Sequence, residues 1–150
     1  MFKDSIDAQT VEVNVDVKDW IDAIKFGGEL LEKDGSIENR YIDAMIDTVK
    51  KMGPYIVIAP GIAMPHARPE AGAKRIRIGL LKLKNPVVFG NPEYDPVDIV
   101  IFLCAVDNSS HISVLAEFMQ LLEDDDFLRV VRNASVKDEI LDYINLKKFN

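Results

Sequence analysis

A chain of 150 residues, 48% hydrophobic and 29% charged, has the make-up of one soluble globular domain spanning residues 1–150, of a size that buries roughly 68–70% of its unfolded surface. A net charge of -7 argues against a nucleic-acid partner, which calls for a basic surface, and suits a basic protein partner instead. A single cysteine, Cys104, excludes an internal disulfide and fits a reducing cytoplasm; the longest apolar run, Ile99 to Val106, is far short of the ~20 residues of a membrane span, and the charged start M-F-K-D-S-I-D lacks a signal-peptide core.

Val11, Val13, Val15 and Val17 alternate with polar residues and predict a short half-buried strand. From about Asp16 the period changes: Val17, Trp20, Ile21, Ile24 and Leu31 predict a helix that Gly35 closes. Gly27 and Gly28 fall inside it, each costing about 1 kcal/mol relative to Ala, and mark either close packing or a break. Ser36 is placed to cap a second helix reaching Met52, with Ile37, Tyr41, Met45, Thr48 and Met52 on one face; Gly53-Pro54 ends it. Tyr55 to Ala59 reads as a strand that delivers the chain into a proline-rich loop.

Arg75 to Leu83 opens with strict alternation, the mark of a strand with one wet face, and Val87 to Phe89 is a brief apolar piece after it. Asp98 to Val106 is continuously apolar and predicts a central strand covered on both faces. D-N-S-S-H then leads into a helix of about four turns carrying Ile112, Leu115, Ala116, Met119 and Leu122 at core spacing. The acidic run Glu123 to Asp126, read as a wet helix terminus, precedes a short helix over Phe127 to Val131, and Ser135 is placed to cap a last one with Ile140, Leu141 and Ile144 inward. Helices before and after the strands predict an α/β fold, a three-layer α/β/α sandwich around a mixed central sheet of about five strands.

The chemistry concentrates at the two histidines. P-G-I-A-M-P-H-A-R-P (Pro60 to Pro69) holds His66 between prolines that fix the local backbone, with Gly61 free to turn upstream and Arg68 two residues on. A stiff, positioned imidazole beside a cation suits reversible nucleophilic attack on a phosphoryl group. His111 falls in or beside the first turn of the helix after the central strand, where Asp107, Asn108, Ser109 or Ser110 is placed to cap and free backbone N–H groups make an anion site. Both histidines follow apolar strands, so if those strands are parallel neighbours the two rings face one crevice. The plainer readings stand beside these: a histidine on a loop is more often a surface or packing residue, His111 an ordinary helix N-terminal residue, Cys104 a small buried hydrophobe, Lys50 and Lys51 cations favoured at a helix end. No G-x-x-x-x-G-K-[ST], G-x-G-x-x-G or G-x-S-x-G is present, and His66, His111, Glu70 and Asp107 lack the short spacing of a convincing metal site.

G-I-A-M-P-H-A-R-P followed by D-N-S-S-H-I-S-V-L-A-E-F-M-Q-L-L resembles the fructose/mannitol-type enzyme IIA domains of the bacterial phosphoenolpyruvate-dependent sugar phosphotransferase system, over nearly the whole chain from Val17. The wording G-P-Y-I-V-I-A-P-G-I-A-M-P-H-A-R-P-E is most similar to the ascorbate branch. The resemblance implies a cytoplasmic phosphoryl carrier without cofactor or metal. His66 matches the family's phosphoacceptor, which takes the group on Nε2 (the tele nitrogen) from the phosphocarrier HPr and passes it to a cysteine of enzyme IIB, itself coupled to a membrane enzyme IIC. His111 matches a second histidine that stabilises the phosphorylated state. Where mannitol-type members carry an arginine on the second helix, this sequence has Lys50 by counting back from His66, and Arg68 is the other cation able to fill that role; Ser109 and Ser110 are further support at the helix start. The other nitrogen of the acceptor ring calls for a carbonyl or carboxylate to fix the tautomer. Two rivals remain open at this point, a regulatory module of the same fold and a small metal-dependent hydrolase using both histidines. The outer faces of the first and last helices leave room for a homodimer.

Overall fold

The computed structural model describes residues 2–149, with the side chain of Ser110 outside the description. In chain order the elements are β1 (Val11–Val15), α1 (Trp20–Lys33), α2 (Arg40–Met52), β2 (Val57–Ala59), β3 (Ile62–Ala63), β4 (Arg77–Val87), β5 (Val97–Cys104), α3 (Asn108–Leu122), α4 (Asp125–Asn133) and α5 (Lys137–Leu146). The strands form one mixed sheet in the order β1-β4-β5-β3-β2. β1 runs parallel to β4 and β3 parallel to β5, whereas β4–β5 and β2–β3 are antiparallel.

The apolar run of β5 is explained by its place in the middle. Side chains on a strand alternate between faces, so a strand covered on both sides needs apolar residues at every position. Val100, Phe102 and Cys104 join Ala23 and Ile24 of α1 and Tyr41 and Met45 of α2 in one buried cluster. Ile99, Ile101 and Leu103 join Phe118 of α3, Phe127 of α4 and Ile140 of α5 in the other. Helices thus close both faces of the sheet, which is the three-layer α/β/α sandwich the sequence predicts.

The paired glycines of α1 serve close packing and leave the helix unbroken. A Cβ on Gly27 would lie 2.1 Å from Cε2 of Phe102, and one on Gly28 would lie 2.6 Å from Cγ1 of Ile42. Only glycine lets α1 come this near to β5 and α2 at once.

Several boundaries differ from the sequence reading. β4 continues past Leu83 through Asn85 and Pro86 to Val87, with a register shift between Lys82 and Val87 that absorbs the proline. Ser36 does not cap α2, which starts only at Arg40 after Asn39. Ser36 is instead buried, its hydroxyl donating to Asp34 and accepting from Arg75 Nε at 3.1 Å. The Asp34 carboxylate draws it there: fully buried, that group also binds Arg75 at 2.7 Å and the buried Arg77 at 2.9 Å. Ser135 does not cap α5 either; Val136 holds that position and Glu139 reaches back to accept from the Ser135 N–H at 3.1 Å.

The acidic run before α4 is only partly a wet terminus. Asp124 caps α4 by accepting from the N–H groups of Asp126 and Phe127, and it also accepts from the Tyr143 hydroxyl and, at 3.0 Å, from Lys147 Nζ at the end of α5. The Tyr143 bond first, with Lys147 and the capped N–H groups, holds its pKa down to about 2. An aspartate in an unfolded chain titrates near ~3.9, so this contribution is fully present above about pH 4 and is lost as pH falls toward 2. Asp124→Asn is therefore expected to lower the urea midpoint at pH 7, with the gap to the wild type closing as unfolding is followed down to about pH 2–3.

Candidate functional site

His66 is delivered by a hairpin that the periodicity of the sequence does not reveal. The expected strand over Tyr55 to Ala59 begins as a 3-10 turn (Pro54–Ile56), so only Val57–Ala59 is strand. The chain then reverses at Pro60-Gly61, with Gly61 at φ +75°, and Ile62–Ala63 returns antiparallel to it. That turn has no room for a side chain: a Cβ on Gly61 would meet Arg132 Nη2 and Asp98 Oδ1, each at 2.8 Å. Arg132 of α4 pairs with Asp98 at 3.0 Å and donates to the Pro60 carbonyl at 3.1 Å, holding the turn to β5.

The strand entering the histidine loop is therefore β3, and it lies parallel and next to β5. The segments that leave both strands emerge at the same end of the sheet, which is where ligands bind in open α/β folds. From β3 the loop crosses that end: Met64 packs on the α3–α5 side and Ala67 on the α1–α2 side, with Pro65 buried between them.

The His66 ring is oriented by the backbone of its own loop. Nδ1 lies 2.9 Å from the carbonyl oxygen of Met64. A carbonyl only accepts, so Nδ1 carries a proton, and in the neutral ring the lone pair is on Nε2. The side chain itself is exposed.

His66 and His111 line one cleft of about 670 Å³. α2 supplies one wall through Ala44, Asp47, Thr48 and Lys51, residues spaced to share a helix face. Arg68 lines it from the loop, and Asn108 and His111 from the first turn of α3. Leu103 and Ala105, at and just beyond the end of β5, complete the apolar part. Lys51 and Arg68 bring positive charge to a protein that is acidic overall, and the start of α3 adds the positive end of a helix dipole. An anion at the mouth of this cleft meets both.

The expected support residues divide. Arg68 is on the cleft. Lys50 is exposed and is not among the lining residues; Lys51, rotated by one position on the same last turn of α2, is. Ser109 is exposed, donates to Asp107 Oδ1 at 3.3 Å and does not line the cleft, whereas its neighbour Asn108 does. Ser110 belongs to α3, but its side chain lies outside the described residues. Among the described residues no group of three or more His, Cys, Asp or Glu side chains is placed to hold a metal ion. Cys104 is buried within β5, and burial pushes its thiol up to about 12. No helix among the described residues is long and apolar enough to cross a membrane.

Tyr41, one of the α2 stripe by spacing alone, has a role at the site that periodicity does not reveal. Its ring is in the core, but its hydroxyl accepts from the Ala67 N–H at 3.0 Å and lies 3.1 Å from Ala67 O and 3.4 Å from Leu103 O. The signal was available: a tyrosine on a buried helix face must find a partner for its hydroxyl, and a loop with free backbone groups is the usual one.

Residues 4–147 match the family described as phosphoenolpyruvate-dependent sugar phosphotransferase system, EIIA 2. The ascorbate-specific EIIA component of Escherichia coli K12 is 38% identical over 138 residues, covering 91% of this chain and 90% of that protein. Its counterpart in Salmonella typhimurium LT2 is 41% identical over 140 residues, covering 91% and 89%. Among solved structures, the mannitol-specific cryptic enzyme IIA of E. coli superposes with a TM-score of 0.88 at 35% identity, covering 97% of this chain and 99% of that one. Enzyme IIA of the E. coli mannitol system, solved in complex with phosphorylated enzyme IIB, gives 0.81 at 26% identity, covering 95% and 98%.

Proposed function

Since the chain belongs to the EIIA type-2 family of the phosphoenolpyruvate-dependent sugar phosphotransferase system, we propose that it is a phosphoryl carrier that accepts the group on His66 Nε2 from phospho-HPr and hands it to a cysteine of an enzyme IIB. The observation that carries this reading is the 2.9 Å bond from His66 Nδ1 to Met64 O. In the neutral ring it puts the nucleophilic lone pair on Nε2, on the wall of a cleft that His111 shares. In the first half-reaction the Nε2 lone pair attacks phosphorus, the bond from phosphorus to the donor breaks, and the donor leaves with the electron pair. In the second a IIB thiolate attacks the same phosphorus, and the P–Nε2 bonding pair returns to the imidazole. The proton stays on Nδ1, donated to Met64 O, through both, so the ring needs no tautomer change between halves.

Little covalent chemistry beyond the nucleophile is asked of the protein; positioning and charge do the rest. Lys51, Arg68, His111 and the N-terminal turn of α3 meet the phosphoryl oxygens in this account. Stabilisation by these groups, rather than by a metal, suits a group that has to leave again. The ascorbate-specific relatives, matched over nine-tenths of their length, support ascorbate as the sugar whose uptake the relay serves, from the cytoplasmic side of a membrane enzyme IIC.

His111→Ala is expected to fold normally, because the side chain is only half-buried in the first turn of α3, and to slow both half-reactions by about 100- to 1000-fold, the range for loss of one preorganised hydrogen-bond donor. Rapid-quench transfer from phospho-HPr, and onward to purified ascorbate-type IIB, checks this; an unchanged rate in both directions makes His111 a structural residue. A mannitol-type IIB that accepts the group faster than the ascorbate-type one would contradict the sugar assignment.

A further inference from the structure

We infer that Tyr41 is a positioning residue for phosphoryl transfer, acting through the backbone of Ala67 to hold His66 against the end of β5. The inference rests on the reading of His66 as the acceptor. Tyr41 is 1% exposed on α2, and its hydroxyl stands where the histidine loop and the central strand come together. The oxygen accepts from Ala67 N–H at 3.0 Å, and its single proton is shared between Ala67 O at 3.1 Å and Leu103 O at 3.4 Å. One hydroxyl thus closes both polar groups of the residue that follows His66 and ties them to a β5 residue that lines the cleft.

The other restraints on the loop lie upstream. The Met64 N–H donates to Ile56 O at 2.7 Å, and the ring of His66 turns back to Met64 O. Downstream of His66, the Ala67 bonds to Tyr41 come first, before the turn at Pro69–Ala71. Phosphorylation adds a doubly charged group to Nε2 and transfer requires in-line approach, so the ring must be fixed from both sides of its own backbone. Burial pushes the phenol up to about 12, so it stays a neutral hydroxyl able to accept and donate together at any working pH. A phenylalanine keeps the ring in the core and removes only this clamp, leaving Ala67 N–H and Ala67 O without their partner.

The test compares wild type, Tyr41→Phe and Ile140→Val in phosphoryl transfer from phospho-HPr, with Ala67 amide exchange followed by NMR. Ile140 is fully buried on the far face of the sheet and serves as a control for general destabilisation. Tyr41→Phe is expected to lower kcat about 10-fold with KM for phospho-HPr within about twofold, and to speed Ala67 amide exchange, while Ile140→Val keeps the wild-type kcat. A wild-type kcat in Tyr41→Phe overturns the inference, as does an equal loss in Ile140→Val. If the wild type itself takes up no phosphoryl group, the acceptor reading fails and this inference falls with it, an outcome distinct from either.

Discussion

His66→Ala is expected to take up no phosphoryl group from phosphoenolpyruvate, enzyme I and HPr, where the wild type takes up one. The ring is exposed, so its removal costs the fold almost nothing, and the cooperative unfolding transition should be that of the wild type. What disappears is the nucleophile itself. None of the other groups on the cleft replaces it: His111 stands in the first turn of α3 without the Met64 carbonyl that fixes the acceptor's tautomer, and Lys51 and Arg68 are cations. Intact-mass spectrometry at neutral or alkaline pH, where phosphohistidine survives, reads the result. A phosphoryl group that persists in His66→Ala moves the acceptor elsewhere and removes the basis of the proposed relay. The effect is all-or-none because loss of a covalent acceptor is not a fractional loss of barrier lowering.

Gly27→Ala is expected to be the most damaging single-methyl substitution in the chain. In an ordinary helix interior the change stabilises by about 1 kcal/mol, because alanine is the better helix former. Here the new Cβ would come within 2.1 Å of Cε2 and 2.2 Å of Cζ of the Phe102 ring, so the ring or the helix must shift. Phe102 is fully buried on β5, where Gly79 of β4 is its partner across the ladder. Overpacking of this kind costs about 1–3 kcal/mol and more when nothing can yield, so the net loss is about 2 kcal/mol, or a Tm lower by about 4–8 °C for a chain of this length. The double variant Gly27→Ala, Phe102→Leu should recover part of the loss, because a leucine vacates the space the methyl needs. A Gly27→Ala protein as stable as the wild type would contradict the close approach of α1 to β5.

These two positions also mark what could and could not be read from the chain. β5 was legible because eight consecutive residues had to satisfy two apolar faces at once, and the proline bracket around His66 was legible because prolines act locally. Gly27 and Gly28 were legible only as a choice between packing and a break, since the ring of Phe102 that settles it for Gly27 lies 75 residues away in the chain and Ile42, which settles it for Gly28, is on another helix. The β2–β3 hairpin escaped because β3 is two residues long, too short for any periodicity, and is made a strand by its parallel partner β5. The geometry of the cleft depends on that partner more than on any local signal.

The polar networks were the least visible part. Ser36 has the residue type and position of an N-cap, and Asp34 overrides it by burying a carboxylate that needs Ser36, Arg75 and Arg77 together. Burial acts to raise the pKa of that carboxylate, and the bonds from Arg77, Ser36 and Arg75 outweigh it, so it stays ionised. Lys51 rather than Lys50 reaches the cleft for a similar reason. A difference of one residue turns a side chain by about 100° around a helix, and only the packing of α2 against the sheet fixes which one faces inward.

The central claim is that Nε2 of His66 carries the phosphoryl group while Nδ1 keeps its proton and donates it to Met64 O. Protein labelled with 15N at histidine, phosphorylated by enzyme I and HPr and observed by 1H–15N NMR at alkaline pH, tests it in one spectrum. The account predicts that the His66 nitrogen coupled to phosphorus is Nε2 and that Nδ1 remains a protonated donor before and after phosphorylation. Phosphorus on Nδ1, or on either nitrogen of His111, would contradict it.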